Sequence, residues 1–467
     1  MKLQLILPAS CVLFIAASKP VPAQEPASRM EQYMAARAAL GQFSGAVLVA
    51  HNGKILLDKG YGFASIEQAV PATPQTKFAA ASLTKQFVDF AIQQLRDAHK
   101  LALTDSICRF VDSCPAAWQP VTLAHLIHHT SGIPDYESAL DINSLAYARY
   151  MLAPNSADSI VAAARNKPLD FPPGTKFSYS NTAYILLTKV IERVSGASFA
   201  DYMRVNVFEP LGMRSTGIFL ASRNVPGLAY GYVPDENVPL NTIVAGLSLP
   251  GGPFVQTPVA DMTGAHGDGG MYTTVGDLYK WDQALYDPRR ATDVAELFKP
   301  GLEGYGFGWF VDSAFGARRQ WHTGMVPGFL SRIERFPGEK LFVVTMTNTM
   351  NSRLSNINRD LEAIALGKPY DVPRSHHIIP RDSTSEALLT GNYALPDGRI
   401  VSCQSGDRYL LISIKGRFTA GLLPEGPRMF YVPFFEGTVK FDGAPNQPPS
   451  TLTMHYEGTD RVARRVN

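Results

Sequence analysis

The chain has 467 residues, of which 45% are hydrophobic and 18% charged, the balance of a globular protein with a large core and room for two or three domains. Its 43 basic and 41 acidic side chains leave a net charge of +2. With no run of like charge, this argues against a nucleic-acid partner or an acidic membrane surface as partner.

Residues 1–23 read as a secretory leader. Lys2 supplies the positive start, Leu3 to Ala17 is mostly apolar, and Val21-Pro22-Ala23 fits a cleavage site before Gln24. The apolar run is short for a membrane span, and Cys11 follows Leu7-Pro8-Ala9-Ser10, a poor lipoprotein signal. The expectation is export to a periplasm or the medium without a transmembrane anchor. Cys108 and Cys114 are close enough to pair in an oxidising compartment, which would leave Cys403 alone; no CxxC or zinc-like spacing is present.

Residues 24–370 mix strand and helix patterns. A strand from Gly45 is followed by His51-Asn52-Gly53-Lys54 and a second strand from Ile55; Asn-Gly is the strongest two-residue hairpin signal because both turn positions need φ > 0. Phe87, Phe90, Ala91 and Leu95 then follow helical spacing. Late in this region Phe329 to Phe336 and Leu341 to Thr347 flank Pro337-Gly338-Glu339-Lys340, a second hairpin. Strands at both ends with helices between them predict an α+β domain: an antiparallel sheet flanked by helices, with an inserted helical region. Residues 371–386 are polar and proline-bearing, a linker. From 387 to 467 short strands alternate with turns such as Pro396-Asp397-Gly398 and Lys415-Gly416-Arg417, which predicts a small all-β, barrel-like domain.

Three motifs could carry chemistry. Ser82 and Lys85 are three apart, so a helix would put them on one face, where the amine can help activate the hydroxyl. A helix start there also offers free N–H groups for an oxyanion. Tyr179 and Asn181 follow a Pro/Gly-rich loop; a tyrosine near a lysine can exchange protons with a serine, and an asparagine amide can hold an amide-like substrate. His322-Thr323-Gly324 could be a base, a metal ligand or a substrate anchor. His125, His128 and His129 have helix spacing that could gather a metal, but neither HExxH nor an acidic ligand set accompanies them. A structural role is expected for them, with no metal and no cofactor.

In their order, SxxK, YxN and HTG resemble the serine β-lactamase and penicillin-binding superfamily in its class C-like branch. His129-Thr130-Ser131-Gly132 and Gly269-Gly270-Met271-Tyr272-Thr273 resemble two further segments of that branch, and the resemblance spans roughly residues 40 to 365. The tail resembles the lipocalin-like β domain of some members. The resemblance implies a serine acyl-enzyme mechanism. Ser82 would be the nucleophile, Lys85 and Tyr179 would share its proton, and Asn181, His322, Thr323 and Gly324 would hold substrate. The backbone N–H groups of Ser82 and Met325 would form the oxyanion hole. With histidine where many relatives carry lysine, a permanent cation for a substrate carboxylate is missing. The substrate expected is therefore a small molecule or peptide, cleaved by a D-amino-acid-directed peptidase, carboxypeptidase or esterase. A class C-like β-lactamase is the alternative, and a penicillin-binding sensor without efficient turnover a further one. If His322 gripped a carboxylate through its charge, binding would weaken as pH rises through its pKa.

Overall fold

The Asn-Gly turn forms as its chemistry dictates: Asn52 and Gly53 both have positive φ, 53° and 75°, and they join β1 (Gly45–His51) to β2 (Lys54–Tyr61). This is a computed structural model that describes residues 25–137, 156–220, 224–234, 254–257, 264, 266–288, 291–444 and 446–466; the leader expected at 1–23 lies outside them. β3 (Phe310–Ala314), β4 (Ala317–Val326), β5 (Phe329–Phe336) and β6 (Leu341–Thr347) follow late in the chain. The six strands form one antiparallel sheet in the order β3-β4-β5-β6-β1-β2. β1 pairs with β6 from Gly45 opposite Thr347 to His51 opposite Leu341, so the first and last hairpins of the region share a sheet.

Alternate residues of the central strands go to opposite cores. Ala46, Leu48, Phe342, Val344 and Met346 face one hydrophobic cluster, which contains Phe87, Ala91 and Leu95 of α2 (Thr84–Asp97). Val47, Val49, Leu341 and Val343 face the other, with Met30 and Tyr33 of α1 (Pro26–Ala39) and Ile357 and Leu361 of a C-terminal helix (Leu354–Ala365). Burial on both faces explains why β6 reads as an unbroken apolar run with threonines rather than an alternating one. Each such buried aliphatic side chain contributes about 1.5–3 kcal/mol. Cys108 and Cys114 are joined as a disulfide, while Cys403 is a buried free thiol in the C-terminal core. No helix among the described residues is long and apolar enough to cross a membrane.

The tail is a closed antiparallel barrel of eight strands in sequence order, from β7 (Gly391–Ala394) to β14 (Thr459–Val466), closed by pairing of β7 with β14. Its interior is filled by side chains including Tyr393, Ile412, Phe430, Phe441 and Met454, as an eight-stranded barrel allows. Between the sheet domain and the barrel, residues 371–382 form neither helix nor strand and lie on the barrel, before a short helix, Ser383–Ala387: Asp371 accepts from His455 Nε2 and Gly458 N, each at 2.8 Å, and Ile379 N donates to Pro424 O at 2.8 Å.

The barrel docks on the sheet domain through Glu436. Its carboxylate meets the buried guanidinium of Arg37 at 2.9 Å and accepts from Asn356 Nδ2 at 3.1 Å. Arg37 also donates to Tyr33 OH, which in turn donates to Asp360. Glu436→Ala leaves the Arg37 charge buried with a poorer set of partners, and we expect a loss of about 3 kcal/mol, read by urea unfolding of the full chain. An unchanged midpoint would mean the docking network carries no stability.

Candidate active site

The nucleophile candidate sits on a one-turn 3-10 segment, Ala81–Leu83, that runs directly into α2. Three residues make one 3-10 turn, so Ser82 and Lys85 lie along one edge of this helix start. Ala81 has φ of 51°, a left-handed conformation unusual for a residue with a side chain, and the turn is clamped on three sides. Ala80 N donates to Met271 O at 2.8 Å, Ser331 Oγ donates to Ala80 O at 2.8 Å, and Thr84 Oγ1 donates to Ala81 O at 2.6 Å. Gly324 of β4 lies against the same turn: a Cβ there would come within 2.3 Å of Ala80 O and 3.0 Å of the Ala81 Cβ. Only glycine lets strand and nucleophile turn approach so closely.

Lys85 is fully buried. Its Nζ lies 3.0 Å from Ser82 Oγ, 2.8 Å from Asn181 Oδ1 and 2.6 Å from the carbonyl oxygen of Asp268. The ring faces of Tyr179 and Tyr184 lie 4.9 and 5.3 Å from the same nitrogen. Four of the sequence-derived candidates, Ser82, Lys85, Tyr179 and Asn181, are therefore brought together around one amine.

The HTSG segment explains how Tyr179 and Asn181 arrive there. It follows the short helix Leu123–Ile127, and its backbone grips the Pro/Gly loop. Asp170 N donates to Gly132 O, Gly174 N to Thr130 O and Ser178 N to His129 O, each at 2.8 Å. Gly132 has φ of 72°, and a Cβ on it would meet Phe171 O at 2.1 Å. His129 Nδ1 accepts from Ser180 N at 3.0 Å, and its ring stacks on Tyr179 at 4.2 Å. Ser180 then caps the helix Asn181–Ser195, accepting from Ala183 N. His125 accepts from Thr122 N in a capping box, and His128 Nδ1 meets Tyr305 O at 3.3 Å. Each of the three histidines is thus engaged in holding backbone or ring positions.

Alternation along β4 separates the HTG residues. Thr323 and Met325 are exposed, while His322 and Gly324 are buried. The His322 ring is fixed at both nitrogens, with Nδ1 2.6 Å from Thr323 O and Nε2 3.1 Å from Tyr305 OH. Since the carbonyl can only accept, Nδ1 carries the hydrogen and Tyr305 OH donates to Nε2. Burial, reinforced by the nearby Lys85, lowers the pKa of the imidazole to about 3. A ring with 1% exposure and both nitrogens taken, its pKa lowered by burial, is poorly placed for the charge-dependent carboxylate grip that the sequence left open.

Three acidic groups near the amine were missed in the sequence. Asp135 Oδ2 accepts from Asn181 N, Glu137 hydrogen-bonds the Asn181 side chain, and the buried Asp268 carboxyl accepts from Tyr136 OH at 2.8 Å. Burial pushes the Asp268 carboxyl up to about 7 against the opposing pull of Lys85, and burial with the neighbouring Asp135 raises Glu137. In the chain Asp135-Tyr136-Glu137 follow HTSG-Ile-Pro directly and Asp268 precedes Gly269-Gly270-Met271-Tyr272, places that make them neighbours of two motifs without telling which way their side chains face.

The β-lactamase family model matches residues 27–367. Penicillin-binding protein 4* of Bacillus subtilis is 30% identical over 91% of this chain and 95% of its own length. A D-aminopeptidase of Gluconobacter oxydans is 28% identical over 71% of this chain and 60% of its own. The octameric penicillin-binding protein homologue from Pyrococcus abyssi superposes with a TM-score of 0.65 at 24% identity, covering 94% of this chain and 99% of that one. The order and convergence of these motifs have their counterpart across the whole sheet domain, and the chain belongs to the β-lactamase family.

Proposed function

We propose that the protein is an exported serine hydrolase that forms an acyl-enzyme on Ser82 and acts on D-amino-acid amides, esters or short peptides with a free amino end. The observation that carries the reading is the Lys85 amine bonded at once to Ser82 Oγ, Asn181 Oδ1 and Asp268 O. In this scheme Ser82 Oγ attacks the substrate carbonyl carbon, and its proton passes to the Lys85–Tyr179 pair. The tetrahedral oxyanion is held by the N–H groups of Ser82 and Met325. The proton then goes to the departing amine or alcohol as the carbonyl re-forms. Water repeats the sequence on the acyl-enzyme and releases the acid. Asn181 and the exposed Thr323 hold the acyl part, and Gly324 provides the space.

The preference for an amino end rests on charge. A neutral His322 offers no cation to a substrate carboxylate, whereas Asp135 and Glu137 place carboxyl groups at Asn181. An ammonium is favoured in such a field and a carboxylate is not. The D-aminopeptidase among the relatives is consistent with this direction. Efficient β-lactam or C-terminal carboxypeptidase turnover, where the substrate carboxylate must be held, fits less well. Export rests on the leader reading of residues 1–23.

Three outcomes test the scheme. Ser82→Ala should lower hydrolysis of D-alanine p-nitroanilide by about 10⁴-fold or more; retained turnover means another nucleophile. Free D-alanine p-nitroanilide should be cleaved at least about tenfold faster than its N-acetyl form, and Glu137→Gln should narrow that ratio by raising KM, worth about 1.4 kcal/mol per tenfold. Faster cleavage of an N-acylated D-Ala-D-Ala peptide would reverse the assignment. The His322 Cε1 proton should show no NMR titration between pH 5 and 9, since the folded ring gains its proton only near pH 3. A midpoint near 6.5 would restore the charged-histidine reading.

A further inference from the structure

Asp89 lies one turn beyond Lys85 on α2 and is outside the proton scheme of Ser82, Lys85 and Tyr179. It is fully buried, an unusual place for a carboxyl group. A spacing of four puts its side chain on the same helix face as the Lys85 amine. Among the described residues no ion pair joins the two: the amine is bonded to Ser82 Oγ, Asn181 Oδ1 and Asp268 O instead. Asp89 Oδ2 lies 2.7 Å from the hydroxyl oxygen of Tyr184, and its Oδ1, also buried, has no hydrogen-bond partner among the described residues.

The hydrogen count decides the state of this acid. The Tyr184 hydroxyl has one hydrogen and two oxygen neighbours, Asp89 Oδ2 at 2.7 Å and the main-chain oxygen of Ile127 at 3.1 Å. A carbonyl only accepts, and so does an ionised carboxylate. With Asp89 ionised, one of the two contacts has no hydrogen and Oδ1 is a bare buried charge, which is strongly unfavourable. With Asp89 protonated, its Oδ2–H donates to Tyr184, and the Tyr184 hydrogen goes to Ile127 O. Three titratable groups lie within electrostatic reach of Asp89: Lys85 on its own helix, Tyr184 on the helix Asn181–Ser195, and Tyr305 before β3. Burial raises the Asp89 carboxyl well above its usual range, and the opposing effects of Tyr184 and Lys85 do not offset it.

We propose that Asp89 is a positioning residue of the Ser82 centre, an uncharged carboxylic acid that donates to Tyr184 and so fixes the ring on which the Lys85 amine rests. The face of Tyr184 lies 5.3 Å from Lys85 Nζ, and its ring lies 5.1 Å from that of His129, which stacks on Tyr179. Anchoring the Tyr184 hydroxyl between Asp89 and Ile127 therefore holds the floor under both groups assigned to the Ser82 proton. Keeping the acid uncharged leaves the direct partners of the amine all neutral, so no carboxylate favours its ammonium form through contact. An apolar site can keep a carboxylic acid neutral at physiological pH so that it donates a hydrogen bond.

The proton is read by stability, without substrate. A native Asp89 that keeps its proton binds one proton more than the unfolded chain at any pH above the unfolded carboxyl value of about 4. Its cost to folding grows as pH rises, and Asp89→Asn, whose amide donates to Tyr184 without titrating, escapes that cost. In urea unfolding of the full chain, the folding constant of Asp89→Asn should gain on wild type by about tenfold per pH unit between pH 5 and 7. A ratio that is constant or falls with pH means an ionised Asp89 and overturns the proposal. Position is read by the rate of fluorophosphonate labelling at Ser82. Asp89→Val, of similar shape but without a donor, should slow it by at least about tenfold, and Asp89→Asn should restore it. Equal slowing in both variants, or a wild-type rate in Asp89→Val, overturns the positioning role. The labelling arm rests on the reading of Ser82 as nucleophile and the stability arm does not, so the two accounts fail separately.

Discussion

A lysine amine with no access to water must find its hydrogen-bond partners inside the protein, or its burial is strongly unfavourable. Lys85 finds them on three separate stretches of chain: Ser82 on its own helix start, Asn181 at the head of another helix, and the carbonyl of Asp268 before a short strand. None of the three is optional once the amine is buried. The convergence of the nucleophile turn, the Tyr-x-Asn loop and the Gly-Gly segment is the geometric form of that requirement.

The surrounding structure makes the convergence rigid. The HTSG turn holds the Pro/Gly loop through three backbone hydrogen bonds and a histidine that is both acceptor and stacking surface for Tyr179. Gly324 lets β4 touch the nucleophile turn, and Ser331 from β5 fastens the same turn from the next strand. The sheet thus serves as the wall against which the Ser82 turn is pressed. A strained Ala81 at φ 51° persists because its neighbours over-determine it.

Much of this was legible in the sequence, for reasons that can be named. The Asn-Gly turn and the period-two strands specify the two hairpins, because turn chemistry and side-chain alternation are local properties. The glycine-punctuated strands of the tail foretell a barrel in the same way. Ser82, Lys85, Tyr179 and Asn181 stand out in the sequence through the order and spacing of their motifs. The partners that sequence reading missed are of two kinds. Asp268 contributes a main-chain carbonyl, which any residue could supply, so its identity carries no signal. Asp135 and Glu137 act through their charge at a distance from the motif, and a local pattern does not reveal which way an acid faces. The state of His322 was hidden for a third reason. Whether an imidazole is charged depends on burial and on what Tyr305 and Thr323 offer its nitrogens, and Tyr305 comes from outside the strand that carries the motif.

The charge pattern that follows is unusual for a site that would take a carboxylate: a neutral imidazole, and acids gathered around the asparagine. It shifts the weight of the account to the lysine as the group that prepares Ser82. The direct measurement is fluorophosphonate labelling followed by intact mass and peptide mapping, on the wild-type chain and on a Lys85→Met variant of undiminished Tm. The account predicts a single adduct on the peptide that contains Ser82, and its loss in the variant. An adduct on another residue, or undiminished labelling of Ser82 without Lys85, would contradict it.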